Sequence, residues 1–369
     1  MPPTVLSSPF KFCSNLRRTK HQEHFIWLAL YQRFFICTVP RINGSNERIL
    51  GGEDNLRAEK VSIQAHDGNL LHFDAVIQDV VPSRSSLGTV IACHGAPGSH
   101  EDFKYFLPYL KSKAIRFVGI NFPGFGYTQP NAKLRYDNRE RLEFVQQLVK
   151  RLKLYDNLVF VGHSRGSETA LKLGALNRDR TVAIVLVNPM TLLTYRALKP
   201  LWRIQLFAWL WNLGSVSKFL LRPIIYLSYR YLLHLKVPTS DVAATSLMAM
   251  NTVDLQSQIK YISTLNVSTV KVFVAYAGRD PVIEAELSKH FANSFIDVEH
   301  LTCKSGLPNE KLTFDQIRKL VEEGKRHIAV YFPEDDHFIQ KHRAKLLADT
   351  IHILLSDEKK RQERKEVSA

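Results

Sequence analysis

The stretch Leu158-Val159-Phe160-Val161-Gly162-His163-Ser164-Arg165-Gly166-Ser167-Glu168-Thr169-Ala170 constrains this chain more than any other. An apolar, strand-forming run meets Gly-His-Ser-Arg-Gly, and a helix-forming run follows. A serine at so sharp a strand-to-helix bend is held in strained backbone, with its hydroxyl exposed above the sheet edge. Gly162 and Gly166 lack a Cβ, so neighbouring chain can approach the bend closely. The N–H of Arg165 opens the following helix, and an amide at a helix N-terminus favours negative charge such as an oxyanion. Ser164 is therefore the candidate nucleophile.

The flanking sequence repeats a strand–helix rhythm. Val61, Ile63 and Ala65 alternate with polar residues, Asp67-Gly68 marks a hairpin turn, and Leu71–Val81 reads as the return strand. Short apolar runs at Thr89–Cys93, Ile115–Ile120, Val182–Val187, Thr269–Tyr276 and His327–Phe332 read as buried strands. Asn138–Leu154 and Phe338–Leu355 carry helical periodicity. Such alternation implies an α/β fold with a mostly parallel central sheet and helices on both faces. About eighty residues without a strand signal separate Val187 from Thr269. The expected organisation is a core built from 60–188 and 269–355, an inserted helical cap at 189–268, an N-terminal extension at 1–45, and a charged, frayed tail at 356–369.

In order and spacing, His94-Gly95 with Pro97-Gly98, Pro123-Gly124-Phe125-Gly126, the Ser164 elbow, Gly278-Arg279-Asp280 and His337 resemble the α/β-hydrolase superfamily. The likeness is to its serine-nucleophile, helical-cap branch, and it covers residues 60–355. It implies a triad in the order nucleophile, acid, base: Ser164, Asp280, His337. The chemistry agrees. A serine hydroxyl attacks well only when a base takes its proton, the work assigned to His337. Asp280 would fix the imidazole tautomer and stabilise the imidazolium. The amides of Arg165 and Ala96 would bind the oxyanion, with Gly95 and Pro97-Gly98 shaping the loop that presents Ala96. Asp335 and Asp336 stand where the superfamily often has glycine before the histidine, which makes Asp336 the reserve acid. The Arg165 side chain is read as solvated or as meeting a substrate anion. His94 and His163 are read as structural, and Tyr195, Tyr226, Tyr229 and Tyr231 as cap core. No cofactor or metal is called for.

Net charge is +15, which raises nucleic acid as a partner. Its distribution argues against that. Residues 1–45 hold six bases and one acid, and residues 181–240 hold seven bases and no acid. Both are rich in aromatic and aliphatic residues, a mixture suited to an anionic membrane surface. The apolar run Phe25–Val39 is too short to span a bilayer. It leaves three readings of 1–45 open: an interfacial anchor, a mitochondrial presequence, or a tail that packs on the domain or stays disordered. Four well-separated cysteines form no metal or disulfide pattern, so an intracellular, reducing compartment is expected, with peripheral membrane or mitochondrial location set by 1–45. The expected activity is hydrolysis of an ester, of a lipid or another apolar acyl compound, through an acyl-enzyme. Thioester and carbon–carbon hydrolysis share this triad. A non-catalytic protein that binds a lipid or partner through the cap is the alternative. Epoxide hydrolase and haloalkane dehalogenase chemistry needs a carboxylate nucleophile, which Ser164 is not. The sequence leaves the oligomeric state open.

Overall fold

A computed structural model describes residues 55–81, 87–233 and 235–368. Residues 1–45, with their three readings, lie outside the described residues. Among the described residues nine strands form one sheet: β1 (Leu56–Gln64), β2 (Leu70–Val80), β3 (Gly88–Cys93), β4 (Ile115–Ile120), β5 (Leu158–His163), β6 (Thr181–Val187), β7 (Lys271–Ala277), β8 (Glu299–Thr302) and β9 (His327–Phe332). Their spatial order is β1-β2-β4-β3-β5-β6-β7-β9-β8; β2 runs antiparallel to both its neighbours, β1 and β4, and every other neighbouring pair is parallel.

The helices are α1 (Leu107–Ser112), α2 (Asn138–Arg151), α3 (Arg165–Leu176), α4 (Leu201–Trp211), α5 (Ser215–Leu227), α6 (Ser240–Asn251), α7 (Ile259–Asn266), α8 (Ala285–Ala292), α9 (Leu307–Glu322), α10 (Ile339–His342) and α11 (Ala344–Ser368). They cover both sheet faces because the central strands are apolar on both. On β5, Leu158 and Phe160 enter one core with Phe144 of α2, while Val159 and Val161 enter the other with Leu347 of α11. That two-sided burial is the mark of a parallel sheet between helical layers. The helices α4–α6 form a third, smaller core around Leu221, Ile225, Tyr229 and Leu247. Ile262 and Leu265 of α7 return to the main core.

Several elements differ from the sequence expectation. The first strand starts at Leu56, five residues before the alternating pattern, because it keeps pairing with β2 as far as Gln78. Strand β8 carries no apolar run; it is a short, half-buried edge strand held by β9. The closing helix is interrupted at Arg343, whose guanidinium binds Asp335 and Glu310. The tail is a correction: 356–368 continues α11 as helix instead of fraying. Its sequence consists largely of strong helix formers. Glu358–Arg361 and Lys359–Glu363 pair across one turn, and Asp357 is bound 2.7 Å from the buried Lys271.

Candidate active site

Ser164 stands between β5 and α3 with φ 50° and ψ −123°. A non-glycine residue there costs about 1–3 kcal/mol and persists only where its surroundings enforce it. The surroundings are visible. The Ser164 amide donates to Val187 O at 3.0 Å, and its carbonyl accepts from Ser167 N and Ser167 Oγ at 2.9 and 2.7 Å. Packing demands the flanking glycines. A Cβ on Gly166 would lie 2.0 Å from the Cys93 carbonyl oxygen, and one on Gly162 would lie 2.5 Å from Ser167 Cα. Gly166→Ala is accordingly expected to lower unfolding free energy by about 3 kcal/mol in urea titration, since backbone on both sides must shift.

His337 follows β9. Its Nδ1 lies 2.7 Å from Asp280 Oδ2, and both groups are buried. Asp280 Oδ1 accepts from the amides of Val282 and Ile283 at 2.7 and 3.1 Å. Burial alone would raise the Asp280 pKa. The charge and hydrogen bond of His337, with those two amides, outweigh burial and hold the carboxyl below its usual value. Asp280 is therefore an anion facing one imidazole nitrogen. Asp336, the reserve acid, is drawn elsewhere: its Oδ1 accepts from Phe338 N at 2.8 Å, and its side chain is largely exposed. Asp335 pairs with Arg343. Gly278, two residues before Asp280, packs against Pro333 on the loop after β9.

Ser164, His337, Ala96 and Pro97 wall one cavity of about 300 Å³. Its remaining surface is mostly apolar, from Ile204, Phe207, Ile225, Leu247 and Met250 of the cap and Val282 of the core. Ser228, Tyr229 and Leu232, in a π-helical turn after α5, complete the roof. Gly95 touches the elbow; a Cβ there would lie 3.2 Å from Ser164 Cβ. Arg165 is the first residue of α3, so its amide belongs to the helix-terminal donors that intrahelical bonds leave unpaired.

The Arg165 side chain corrects both sequence readings. It is neither solvated nor turned to a substrate. It is fully buried beneath the elbow, paired with Glu168, with Nε 3.3 Å from Ala249 O of α6. Glu168 also accepts from Lys172 Nζ at 2.6 Å and from Asn138 Nδ2 at 3.0 Å. Beside this cluster, Arg141 donates to His94 O at 2.9 Å and lies 3.5 Å from the Phe122 ring centre. Burial, then the Arg165 charge, lowers the Arg141 pKa to about 9. Nothing in the local sequence marks Arg141 or Glu168; the only hint is that charged residues occupy the apolar-facing turns of α2 and α3.

Two histidines position the site. His94 Nε2 accepts from Phe122 N at 3.2 Å, so Nδ1 carries the proton and donates to Gly95 O at 2.7 Å. This bond shapes the Ala96 loop. His163 Nε2 donates to the His337 carbonyl at 2.8 Å, tying the elbow to the loop that carries the imidazole. Burial, then the Arg141 charge, pushes the His94 pKa down to about 3, and burial also lowers those of His327 and His352. Below about pH 6.5 the unfolded chain binds protons that these folded histidines refuse, so stability falls on acidification through that window. The urea midpoint is expected to be lower at about pH 5 than at about pH 7.5, and His94→Asn is expected to flatten that slope.

The structure resembles known folds at low sequence identity. An esterase from Exiguobacterium antarcticum superposes with a TM-score of 0.53 at 16% identity, covering 81% of this chain and 100% of that one. A haloalkane dehalogenase from Bradyrhizobium elkani superposes with 0.57 at 10%, covering 82% and 98%. Among sequence relatives, an uncharacterised Caenorhabditis elegans protein is 28% identical over 292 residues, 76% of this chain and 81% of its own. A Mycoplasma pneumoniae protein whose name proposes an esterase/lipase is 35% identical over 102 residues, 27% of this chain and 37% of its own. The profile of the family described as alpha/beta hydrolase of unknown function, DUF1057, matches residues 53–356. With the nine-stranded sheet, the elbow and the interposed cap in the expected order, this chain belongs to the DUF1057 family of alpha/beta hydrolases.

Proposed function

We propose that the protein is a serine hydrolase that cleaves an ester of an apolar acyl compound through an acyl-enzyme. The observation that carries the reading is the buried His337–Asp280 pair, 2.7 Å apart, whose imidazole walls the same apolar cavity as the strained Ser164. With Nδ1 held by Asp280, Nε2 is the nitrogen left to take the Ser164 proton. Ser164 Oγ then bonds to the ester carbonyl carbon, and the carbonyl oxygen becomes an oxyanion received by the Arg165 and Ala96 amides. The C–O bond to the alcohol breaks as His337 returns the proton to it. Water, deprotonated by the same imidazole, attacks the acyl-enzyme and frees the acid and Ser164. The apolar lining suits the acyl chain, and its small volume favours short to medium chains.

The test is labelling of wild type and Ser164→Ala with a fluorophosphonate probe, followed by 4-nitrophenyl esters and matched thioesters of increasing chain length. Labelling confined to wild type, with turnover that falls off for long chains, is expected. Equal labelling of both proteins overturns the assignment.

A further inference from the structure

Helix α4 is unusual for a surface helix. Only Ala208 of its 11 residues is buried, although most of them are apolar. One side turns Ile204 and Phe207 toward the cavity. Another carries Trp202, Leu206, Trp209 and, just past the helix end, Leu213, spaced four, three and four residues apart and all exposed. Helix α5 repeats this with exposed Val216, Leu220, Ile224 and Leu227, and Tyr231 and Leu232 follow. Tyr231, expected in the cap core, is thus at the surface. Trp202 and Trp209 are each 59% exposed, and Val216 and Leu232 each 76%. Single exposed apolar residues are ordinary, but two aligned stripes on adjoining helices mark an interaction surface.

Charge identifies the partner. Residues 181–240 contain seven bases and no acid. Of these bases, Arg222 is satisfied by Asp241. Lys199, Arg203, Lys218, Arg230 and Lys236 make no ion pair among the described residues. Indole rings and aliphatic side chains set among bases that have no acidic partner match the interfacial zone of a negatively charged bilayer. Residues 1–45 hold six bases and one acid, a charge that the same anionic bilayer attracts.

We propose that the outer face of α4 and α5 docks the protein on an anionic lipid bilayer. Arg203, next to Trp202, and Leu232 are exposed and also line the cavity, so the cavity wall reaches the surface beside the docking face. An apolar ester then passes from bilayer to cavity without crossing water. Docking itself does not depend on the chemistry of Ser164, and the experiment separates the two.

The full-length protein is sedimented with phosphatidylcholine vesicles prepared with and without phosphatidylserine. Binding is expected only with phosphatidylserine, weakening as salt rises. Trp202→Ser/Trp209→Ser and Lys218→Glu/Arg230→Glu are each expected to lower partitioning about tenfold while melting near the wild-type temperature. Ser164→Ala is expected to bind as wild type does. Binding left unchanged in Trp202→Ser/Trp209→Ser, equal binding to neutral vesicles, or no binding to either overturns the proposal.

Discussion

Ser164→Ala is expected to lower ester turnover by about 10⁴-fold or more while the protein melts near its wild-type temperature. On the proposed function the loss falls on kcat, because the apolar cap residues that line the cavity, and not Ser164, would hold the acyl chain. His337→Ala should cost about as much, and the double variant scarcely more than either single one, since nucleophile and base act as a unit. The acid is the sharper discrimination. Asp280→Asn removes the charge facing His337 Nδ1 and is expected to cost about 10⁴-fold. Asp336→Asn, whose carboxylate binds the Phe338 amide, should stay within about twofold of wild type, since it touches none of the reacting groups. Steady-state kinetics on a 4-nitrophenyl ester decides between them. A large loss in Asp336→Asn with little in Asp280→Asn would reverse the roles of the two acids.

Glu168→Ala is expected to destabilise the protein by about 3–5 kcal/mol, measured by urea unfolding. Glu168 is the acid to which both Arg165 and Lys172 are paired, and all three are buried. Removing it strands two cations in a low-dielectric interior, where the solvation they gave up on folding has no replacement. Arg141 adds to the positive charge nearby. An exposed pair offers the contrast: Lys60→Ala, which breaks the contact with Asp74 at the edge of β1, should change stability by about 0.5 kcal/mol or less. Because Arg165 also reaches Ala249 of α6, the Glu168 variant should loosen the cap before it unfolds the sheet. Faster amide exchange in α6 than in β5 would show this. A loss below about 1 kcal/mol would mean that water reaches the cluster and that the ion pairs contribute little.

The elements that position the site were legible because each depends on short-range pattern. Apolar runs flanked by turn residues locate six of the nine described strands, and alternation around Asp67-Gly68 gives most of the hairpin formed by β1 and β2. The short β8 escaped because a half-buried edge strand has neither a continuous apolar run nor a clean period of two. The tail's mixed charges read as solvated chain by composition alone, whereas in the fold they form helix-stabilising pairs one turn apart. The cap tyrosines show the limit of composition: Tyr195, Tyr226 and Tyr229 are buried, while Tyr231, in the same run, faces outward.

The sequence by itself determined the sheet–helix alternation, the cap between β6 and β7, the bend at Ser164, and the order in which serine, aspartate and histidine follow their strands. These are set by properties a residue shares with neighbours a few positions away: β-propensity, helical period, and the tolerance of glycine for close approach. Only the tertiary structure decided that Asp280 and not Asp336 faces His337, that Arg165 lies buried against Glu168, and that two apolar stripes of the cap stay uncovered. Each of those outcomes is a pairing between groups far apart in the chain. Coulomb attraction, desolvation and burial depend on distances through space, which spacing along the sequence does not specify.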